Sequence, residues 1–471
     1  MRSWRFLEFS MSGLSRQRQK REAHFMSERR EILSKFDRTI EPMEDLIQHN
    51  IETYKKGNIT IRVTDKDGKP MRNVKISLSQ KSHDFRYGAN LFQLDESETA
   101  EKNALYRLRF KEAFNMATLP FYWKSVEPAP GVYRFGKDSE RIYRRPAIDL
   151  CMEYCKENGI EPREHGLAYD GHFPERLRHA SDDEVKRAMR RYFEAVATRY
   201  ADKIPTIEVT NEMFFWWRSV TRFYNSDEFL PFAYRLADEF FPNNKLAINE
   251  YPDAVWGHSD YAGTCRGRYG QYYLIIDKLL SQGCRIDTVG MQFHMFFPRD
   301  SEALRTSHIY DAAYLYRVLD TYADFRKPLE ITEMTIPAYS GDKEDEAIQA
   351  GLVERLYRIF FSHPMMEHVI YWNLVDGYAW VPEGTPLGDM TAGENIYYGG
   401  LLRFDFSKKP AYEVLVRMFS ETYRTNAAAV TDENGVATLR GFYGDYDLTV
   451  EKEKRCVSIH KNEKNEFSFI L

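Results

Sequence analysis

Eight short apolar runs, each followed by a stretch of helical periodicity, limit the folds open to this chain more than any other feature. The runs are FRYGANL (85–91), FNMATL (114–119), EPREHGLA (161–168), TIEVTNE (206–212), KLAINEY (245–251), TVGMQFH (288–294), PLEITEM (328–334) and HVIYWNLV (368–375). Their spacing is that of one strand–helix unit each. One intervening helix is well marked. Ser181-x-x-Glu184 forms a capping box, and Val185, Met189, Tyr192 and Val196 follow on one face. Eight such units predict an α/β fold, a (β/α)8 TIM barrel over residues 85–425, with polar residues at the strand C-termini lining the active-site mouth.

The flanks read differently. Residues 1–56 are an N-terminal extension and helices, with Ile32, Leu33, Phe36, Ile40, Met43, Leu46, Ile47 and Ile51 at helical spacing and a break near Pro42. Met26 is a plausible start, which would make the first 25 residues an upstream extension. Residues 57–84 switch to a period of two, and so do residues 426–471. Asp67-Gly68 and Asn434-Gly435 are hairpin signals. Neither end has enough strands for a core of its own, so the expectation is one small β-sandwich assembled from both chain ends, with the barrel inserted into it.

Several classes are excluded at this level. A net charge of −5 gives no basic footprint for nucleic acid. No uncharged run of about 18 residues exists, so no membrane span is expected. Residues 16–21 (RQRQKR) are charged and no signal-peptide core precedes them, which points to the cytoplasm. Cys151, Cys155, Cys265, Cys284 and Cys456 form no metal knuckle and read as reduced packing residues. No cofactor or metal is expected. The aromatic fraction of 15% fits a generous core better than it fits a set of stacking platforms. Oligomeric state is left open.

The strand ends carry the chemistry. Run four ends in Asn211-Glu212, run seven in Glu333, run six in Gln292 and His294, run three in His165, and run eight contains Trp372. A single glutamate there would read as a strand-end salt bridge, because a strand interior is expected to have no structural use for a carboxylate. Two of them on opposite sides of one barrel, beside His, Asn, Gln and Trp, read as a catalytic pair. The chemistry that needs such a pair is glycoside hydrolysis. At about 5–5.5 Å separation, one carboxylate attacks the anomeric carbon while the other protonates the leaving oxygen. The nucleophile must stay ionised, with His294 a candidate donor, and the acid must keep its proton near neutral pH.

The same residues resemble glycoside hydrolase family 10, the retaining xylanase-type barrels. IEVTNEM (207–213) is similar to WDVVNEA, LEITEM (329–334) to ITELDI, GMQFH (290–294) to GIGxQxH, and KLAINEY (245–251) to KLYINDY. VIYWNLVDGYAW (369–380) is similar to VxxWGxxDxxSW, and FNMAT (114–118), VEPAPGVYRF (126–135) and FDFSKKPAY (404–412) also fit, in order, over about 85–415. The resemblance implies Glu212 as acid/base and Glu333 as nucleophile. It implies Asn211 on the sugar 2-hydroxyl, His294 orienting Glu333 with Gln292 beside it, and Trp372 and Trp380 as apolar walls around the reacting sugar. His165 would contact that sugar.

Departures from the family are equally informative. Where xylanases of the family carry TxENxMKW, whose Glu, Asn and Lys grip the non-reducing side of the chain, this sequence reads TLPFYW (118–123). The Trp of GHxLxW is Tyr169, followed by Asp170, and the Asp two residues after the nucleophile is Thr335. Glycone recognition is therefore truncated, or a different sugar is held there. Phe214-Phe215-Trp216-Trp217 follows the acid/base and reads either as an aglycone platform or as loop packing, with Phe296 and Phe297 on the same rim. The expected function is retaining hydrolysis of β-glycosidic bonds in xylan-like oligosaccharides or polysaccharides. The rivals are a non-xylan β-glycoside substrate, a non-cleaving carbohydrate-binding protein, and a metal-dependent hydrolase using His165, His172, His294 and Asp170.

Overall fold

A computed structural model describes residues 28–215, 218–257 and 267–471. Trp216 and Trp217 as a platform, the extension ahead of Met26, and Cys265 as a packing residue fall outside the described residues. Two strands open the ordered body, β1 (Lys56–Thr64) and β2 (Lys75–Gln80), both alternating buried and open positions as their period of two requires. Eight parallel strands follow. They are β3 (Arg86–Asn90), β4 (Met116–Pro120), β5 (Glu161–His165), β6 (Thr206–Thr210), β7 (Lys245–Glu250), β8 (Thr288–His294), β9 (Leu329–Thr335) and β10 (Met366–Tyr371). They close in sequence order, β10 pairing with β3, and each lies on or within two residues of one of the eight apolar runs. β4, β6, β8 and β9 are buried at every position, because helices cover the outside and side chains fill the inside. The helix Asp182–Tyr200 starts on the capping box read from Ser181 and Glu184.

The barrel floor corrects one expectation. Carboxylates do have a structural use inside these strands, because they are paired. Arg163 is fully buried, with Nη1 2.6 Å from Glu208 and Nη2 3.0 Å from Glu330. His165 Nδ1 lies 2.8 Å from the second oxygen of Glu208, and His368 Nε2 lies 3.4 Å from Glu330. Removing any one partner would leave an uncompensated charge in the interior.

The two chain ends form the two sheets of the small sandwich. After the barrel come β11 (Asn426–Val430), β12 (Val436–Phe442), β13 (Gly444–Val450), β14 (Glu453–Ile459) and β15 (Glu466–Ile470). One sheet has the order β12-β1-β15 and the other β11-β2-β13-β14. Ile59, Ile61, Val63, Ile76, Leu78, Leu448 and Phe469 fill the space between them. Neither Gly-containing turn makes a hairpin between its flanking strands. At each, an aspartate accepts two backbone N–H groups: Asp65 from Asp67 and Lys69, Asp432 from Asn434 and Val436. The chain then crosses to the opposite sheet, so β1 pairs with β12 and β2 with β11. Interleaving the ends in this way buries both inner faces, which a pair of separate hairpins would not do.

The sandwich sits under the barrel, at the N-terminal ends of its strands. Lys55 Nζ donates to the carbonyl of Met366 at the start of β10 (2.7 Å). Phe85 packs on Phe361 and Phe419, and Phe361 on Phe442 of β12. The N-terminal segment forms a helix over 28–40, a 3-10 turn at Glu41–Met43 containing Pro42, and a helix at Glu44–Tyr54. Cys151, Cys155 and Cys284 are buried, but Cys456 is exposed on an outer strand face and is no packing residue. Among the described residues no helix is long and apolar enough to cross a membrane.

Candidate active site

At the opposite, C-terminal mouth of the barrel, pairing between β8 and β9 slips between Met291 and Gln292. The slip sets Gln292 opposite Glu333 and His294 opposite Thr335. Next to it Gly290 faces Asn249, where a Cβ would stand 2.9 Å from Asn249 Oδ1, so only glycine lets that amide lie flat against the strand. Gln292 Nε2 then reaches three oxygens: Glu333 Oε1 at 2.9 Å, Asn211 Oδ1 at 3.1 Å and Glu212 Oε1 at 3.3 Å. One amide nitrogen touching both glutamates brings the nearest oxygens of the pair within the two contacts laid end to end. Two carboxylates reached by one amide nitrogen are close enough to act on one bond.

Each carboxylate has its own surroundings. Glu212, just past β6, has a left-handed backbone (φ 51°), a conformation that costs a non-glycine residue on the order of 1 kcal/mol. Its neighbours hold it there: Met213 N–H donates to Glu250 Oε2 (2.8 Å) and Tyr224 O–H to the Glu212 carbonyl (3.2 Å). The Glu212 side chain accepts from the Tyr169 hydroxyl and from Arg218 Nη1 (3.3 Å). Glu333 is almost fully buried. Its Oε1 accepts from Gln292 and from Asn249 Nδ2 (3.2 Å), while Oε2 faces His294 Nε2 at 3.2 Å.

The His294 ring is fixed from behind. The Thr335 hydroxyl donates to the carbonyl of Trp372, so toward His294 Nδ1, 2.9 Å away, it can only accept. Nδ1 therefore carries the hydrogen and a neutral ring turns a lone pair on Glu333. Burial pushes Glu333 up to about 8, with Glu208 and Glu212 adding repulsion and His165 opposing. Burial pushes His294 down to about 4. Both shifts favour the uncharged forms, a protonated Glu333 beside a neutral His294.

Glu212, Glu333, Asn211, Gln292 and His294 line one cleft of about 950 Å³. His165, Tyr169, Trp372 and Trp380 line it too, in different ways. Trp372 is a true wall, edge-on to Phe92 with ring centroids 5.0 Å apart. Trp380 lines the same cleft with 54% of its surface exposed. His165 presents no free nitrogen to a sugar, because Nδ1 faces Glu208 and Nε2 the hydroxyl of Tyr122 (3.1 Å). Burial opposes a charge on His165, but Glu208 outweighs it and raises the imidazole, whose positive charge in turn favours ionised Glu333. Phe215 packs on Tyr251 at the rim (4.2 Å between centroids), and Phe296 stacks on His294 (4.6 Å).

Asp170 is spent on the fold. It accepts from the backbone N–H groups of Val220 (3.2 Å) and Thr221 (3.0 Å), pinning the loop that carries Arg218. Among the described residues no group of three or more His, Cys, Asp or Glu is placed to hold a metal.

Sequence reasoning gave no role to Asn249, Tyr122, Arg144, Arg145 or Arg218, all of which help form the site. Asn249 stood in plain view in KLAINEY, and its place on the strand shared by the other site residues could have signalled it. The arginines lie in loops with no periodicity, where no such signal exists.

A family model described as "Glycosyl hydrolase family 10" matches residues 85–418. Among curated proteins, the anti-sigma-I factor RsgI6 of Acetivibrio thermocellus is 24% identical over 413 residues, 86% of this chain and 46% of that protein. An endo-1,4-beta-xylanase/feruloyl esterase of Xylanibacter ruminicola is 23% identical over 305 residues, 58% of this chain and 39% of that protein. The chain thus spans less than half the length of these relatives. Among solved structures, xylanase 10B from Thermotoga petrophila RKU-1 in complex with xylobiose superposes with a TM-score of 0.55 at 18% identity, covering 72% of this chain and 95% of that one. Native xylanase 10B from Thermotoga maritima gives a TM-score of 0.55 at 20% identity, covering 72% and 96%. These superpositions show the barrel, and the family match spans most of the sequence: the chain belongs to glycosyl hydrolase family 10.

Proposed function

We propose that the protein is a retaining glycoside hydrolase acting on β-linked, xylan-type oligosaccharides, with Glu333 as nucleophile and Glu212 as acid/base. The observation that carries this reading is the single Gln292 amide in contact with both carboxylates. In the first step the ionised form of Glu333 bonds through Oε2 to the anomeric carbon as the bond to the leaving oxygen breaks, and Glu212, which carries the proton of the pair in that form, gives it to that oxygen. Water then attacks the glycosyl-enzyme, returning its proton to Glu212. Asn211 Oδ1 is held by Asn249 (2.9 Å) and Gln292, which leaves its N–H2 group as the face for the sugar 2-hydroxyl.

The test is a screen of purified protein against neutral and decorated oligosaccharides, with product masses and the anomer first released read by NMR. Glu333→Ala should be inactive on all of them. Glu212→Ala should keep activity where the leaving group needs no acid. Retention of configuration supports the reading; an inverted product, or wild-type turnover in either variant on a natural glycoside, overturns it. Loss of the family's glycone-gripping residues supports weaker turnover of long xylan than of short oligosaccharides.

A second reading is carbohydrate binding without turnover, since a relative matched over 86% of this chain is named as an anti-sigma-I factor and not as a hydrolase. Tight binding of oligosaccharides that remain uncleaved for days would select it.

A further inference from the structure

The loop after β4 lacks the polar residues that the family's motif carries there, and two of its arginines, Arg144 and Arg145, line the cleft instead. Arg145 lines the cleft with its guanidinium 3.9 Å from the Tyr122 ring centroid and 5.3 Å from that of Phe92. Its Nη1 donates to the Arg144 carbonyl (2.8 Å), leaving the rest of the fork with no protein acceptor among the described residues. The charges that act on it most are Tyr122, Arg144 and Tyr169, none of them a carboxylate, and burial pushes it down to about 10. A half-buried cation without an anion beside it is an arrangement that an entering anion relieves.

The neighbourhood has the same sign. Arg144, buried beside it, donates to the carbonyl of Tyr378 and to Asn373 Oδ1 (3.0 Å) and forms no ion pair among the described residues. Lys124, exposed at the same edge, also forms none. His172 is held well below its ordinary value by burial and by the charges of Arg145, Lys124, His165 and Arg218. Arg218 is engaged by Glu212. The carboxylate on this wall, Glu394, is turned to the Asn373 amide (3.4 Å) and the Trp380 backbone (3.4 Å).

We propose that Arg145 seats a carboxylate-bearing sugar, a uronic acid residue of the glycan, on the non-reducing side of the cleft. The proposal rests on the glycosidase reading for the identity of the ligand as a glycan, and deepens it by naming the substrate class. The planar guanidinium fork matches a carboxylate with two parallel N–H bonds, and the Tyr122 ring beneath holds it flat. Tyr122 also ties this subsite to the reacting centre, since its hydroxyl contacts His165, whose charge acts on Glu333. A sugar whose carboxylate rests on Arg145 would place a neighbouring unit over the catalytic pair.

The experiment is titration calorimetry with Glu333→Gln, which binds without turning substrate over, on three ligands with one backbone: a glucuronic-acid-substituted xylo-oligosaccharide, its methyl ester, and the unsubstituted chain. The expected result is binding of the free acid roughly tenfold or more tighter than of the ester, a preference that shrinks with added salt. Arg145→Gln should bring the two within about twofold, and Arg145→Lys should restore part of the gap, since it keeps the charge and loses the fork. A wild-type fork that binds acid and ester within about threefold overturns the proposal, and so does an unchanged preference in Arg145→Gln. A sulfated oligosaccharide bound as tightly as the uronate would overturn the carboxylate assignment in favour of a general anion site. Because binding is read directly, failure of hydrolysis would sink the glycosidase reading while leaving this measurement intact.

Discussion

Thr335 leaves His294 with no anion behind it, and that one side chain determines where a proton rests in the centre. With the hydroxyl committed to the Trp372 carbonyl, a neutral His294 accepts from Glu333 instead of donating to it. In the role proposed for it, Glu333 must ionise before it can attack. Burial holds it near 8, so the ionised fraction grows as pH rises through that value. We therefore expect kcat/KM on a substrate with an activated leaving group to climb with pH, with a midpoint near 8. Thr335→Asp should place an anion on His294 Nδ1, favour the doubly protonated ring, and move that rising limb about a unit or more toward acid. A limb that stays where it was would show that Thr335 does not control the proton.

The same shift has a stability sign. A carboxyl held near 8 in the fold and near 4.5 in the open chain binds more protons when folded across that window, so stability falls as pH rises from about 4.5 to about 8. Glu333→Gln, which cannot ionise, should gain on the wild type over that range by on the order of 4–5 kcal/mol, and the gain should level off above it. Denaturant midpoints at pH 4.5 and 8.5 check this; equal differences at both would refute it.

Among the secondary-structure elements, the N-terminal helix over 28–40 buries Ile32, Phe36 and Ile40 and is tied down by one buried arginine. Arg29 Nε donates to Glu302 (2.9 Å), Nη2 to the Pro337 carbonyl (2.8 Å), and Nη1 to the Ala338 carbonyl (3.0 Å) and Asp345. Pro337 and Ala338 follow directly on β9, the strand of Glu333. Arg29→Ala should cost about 3 kcal/mol, since it leaves the buried Glu302 without its ion-pair partner and Asp345 with Arg299 (3.1 Å) alone. Arg30→Ala, which breaks only a surface pair with Glu344, should leave the unfolding midpoint unchanged. Matching midpoints for the two variants would mean that the helix is held by its apolar face alone. The apolar stripe of this helix was legible in the sequence, whereas its anchor was not, because an arginine at a helix start gives no sign of the acids it will meet about 270 and 316 positions later. The barrel strands were legible for the opposite reason. Burial on both faces writes most of them as short, largely apolar runs, and a polar residue at the end of such a run has few explanations besides the mouth of a barrel. The interior carboxylates Glu208 and Glu330 escaped reading because their partner Arg163 lies on a different run, and pairing across a barrel is a property of closure rather than of local pattern.

For the whole molecule, the interleaved sandwich makes both chain ends necessary to one core. The two tight turns were read as hairpins because turn chemistry is local, while the choice of partner strand follows from which faces must meet. Deleting residues 426–471 removes β11 to β15 and leaves β1 and β2 with no strand beside them. Ile59, Ile61, Val63, Ile76 and Leu78 would then lose the surface they pack on, and two strand edges would be open to other chains. Phe361 and Tyr423 would also lose Phe442, uncovering the bottom of the barrel. The truncated chain is therefore expected to associate in solution and to lose its single sharp unfolding transition, although every residue of the catalytic mouth is still present. Light scattering and calorimetry of the purified fragment decide the matter. A monomer melting at the wild-type temperature would mean that the barrel stands without its base, and that the sandwich serves something other than closure of the fold.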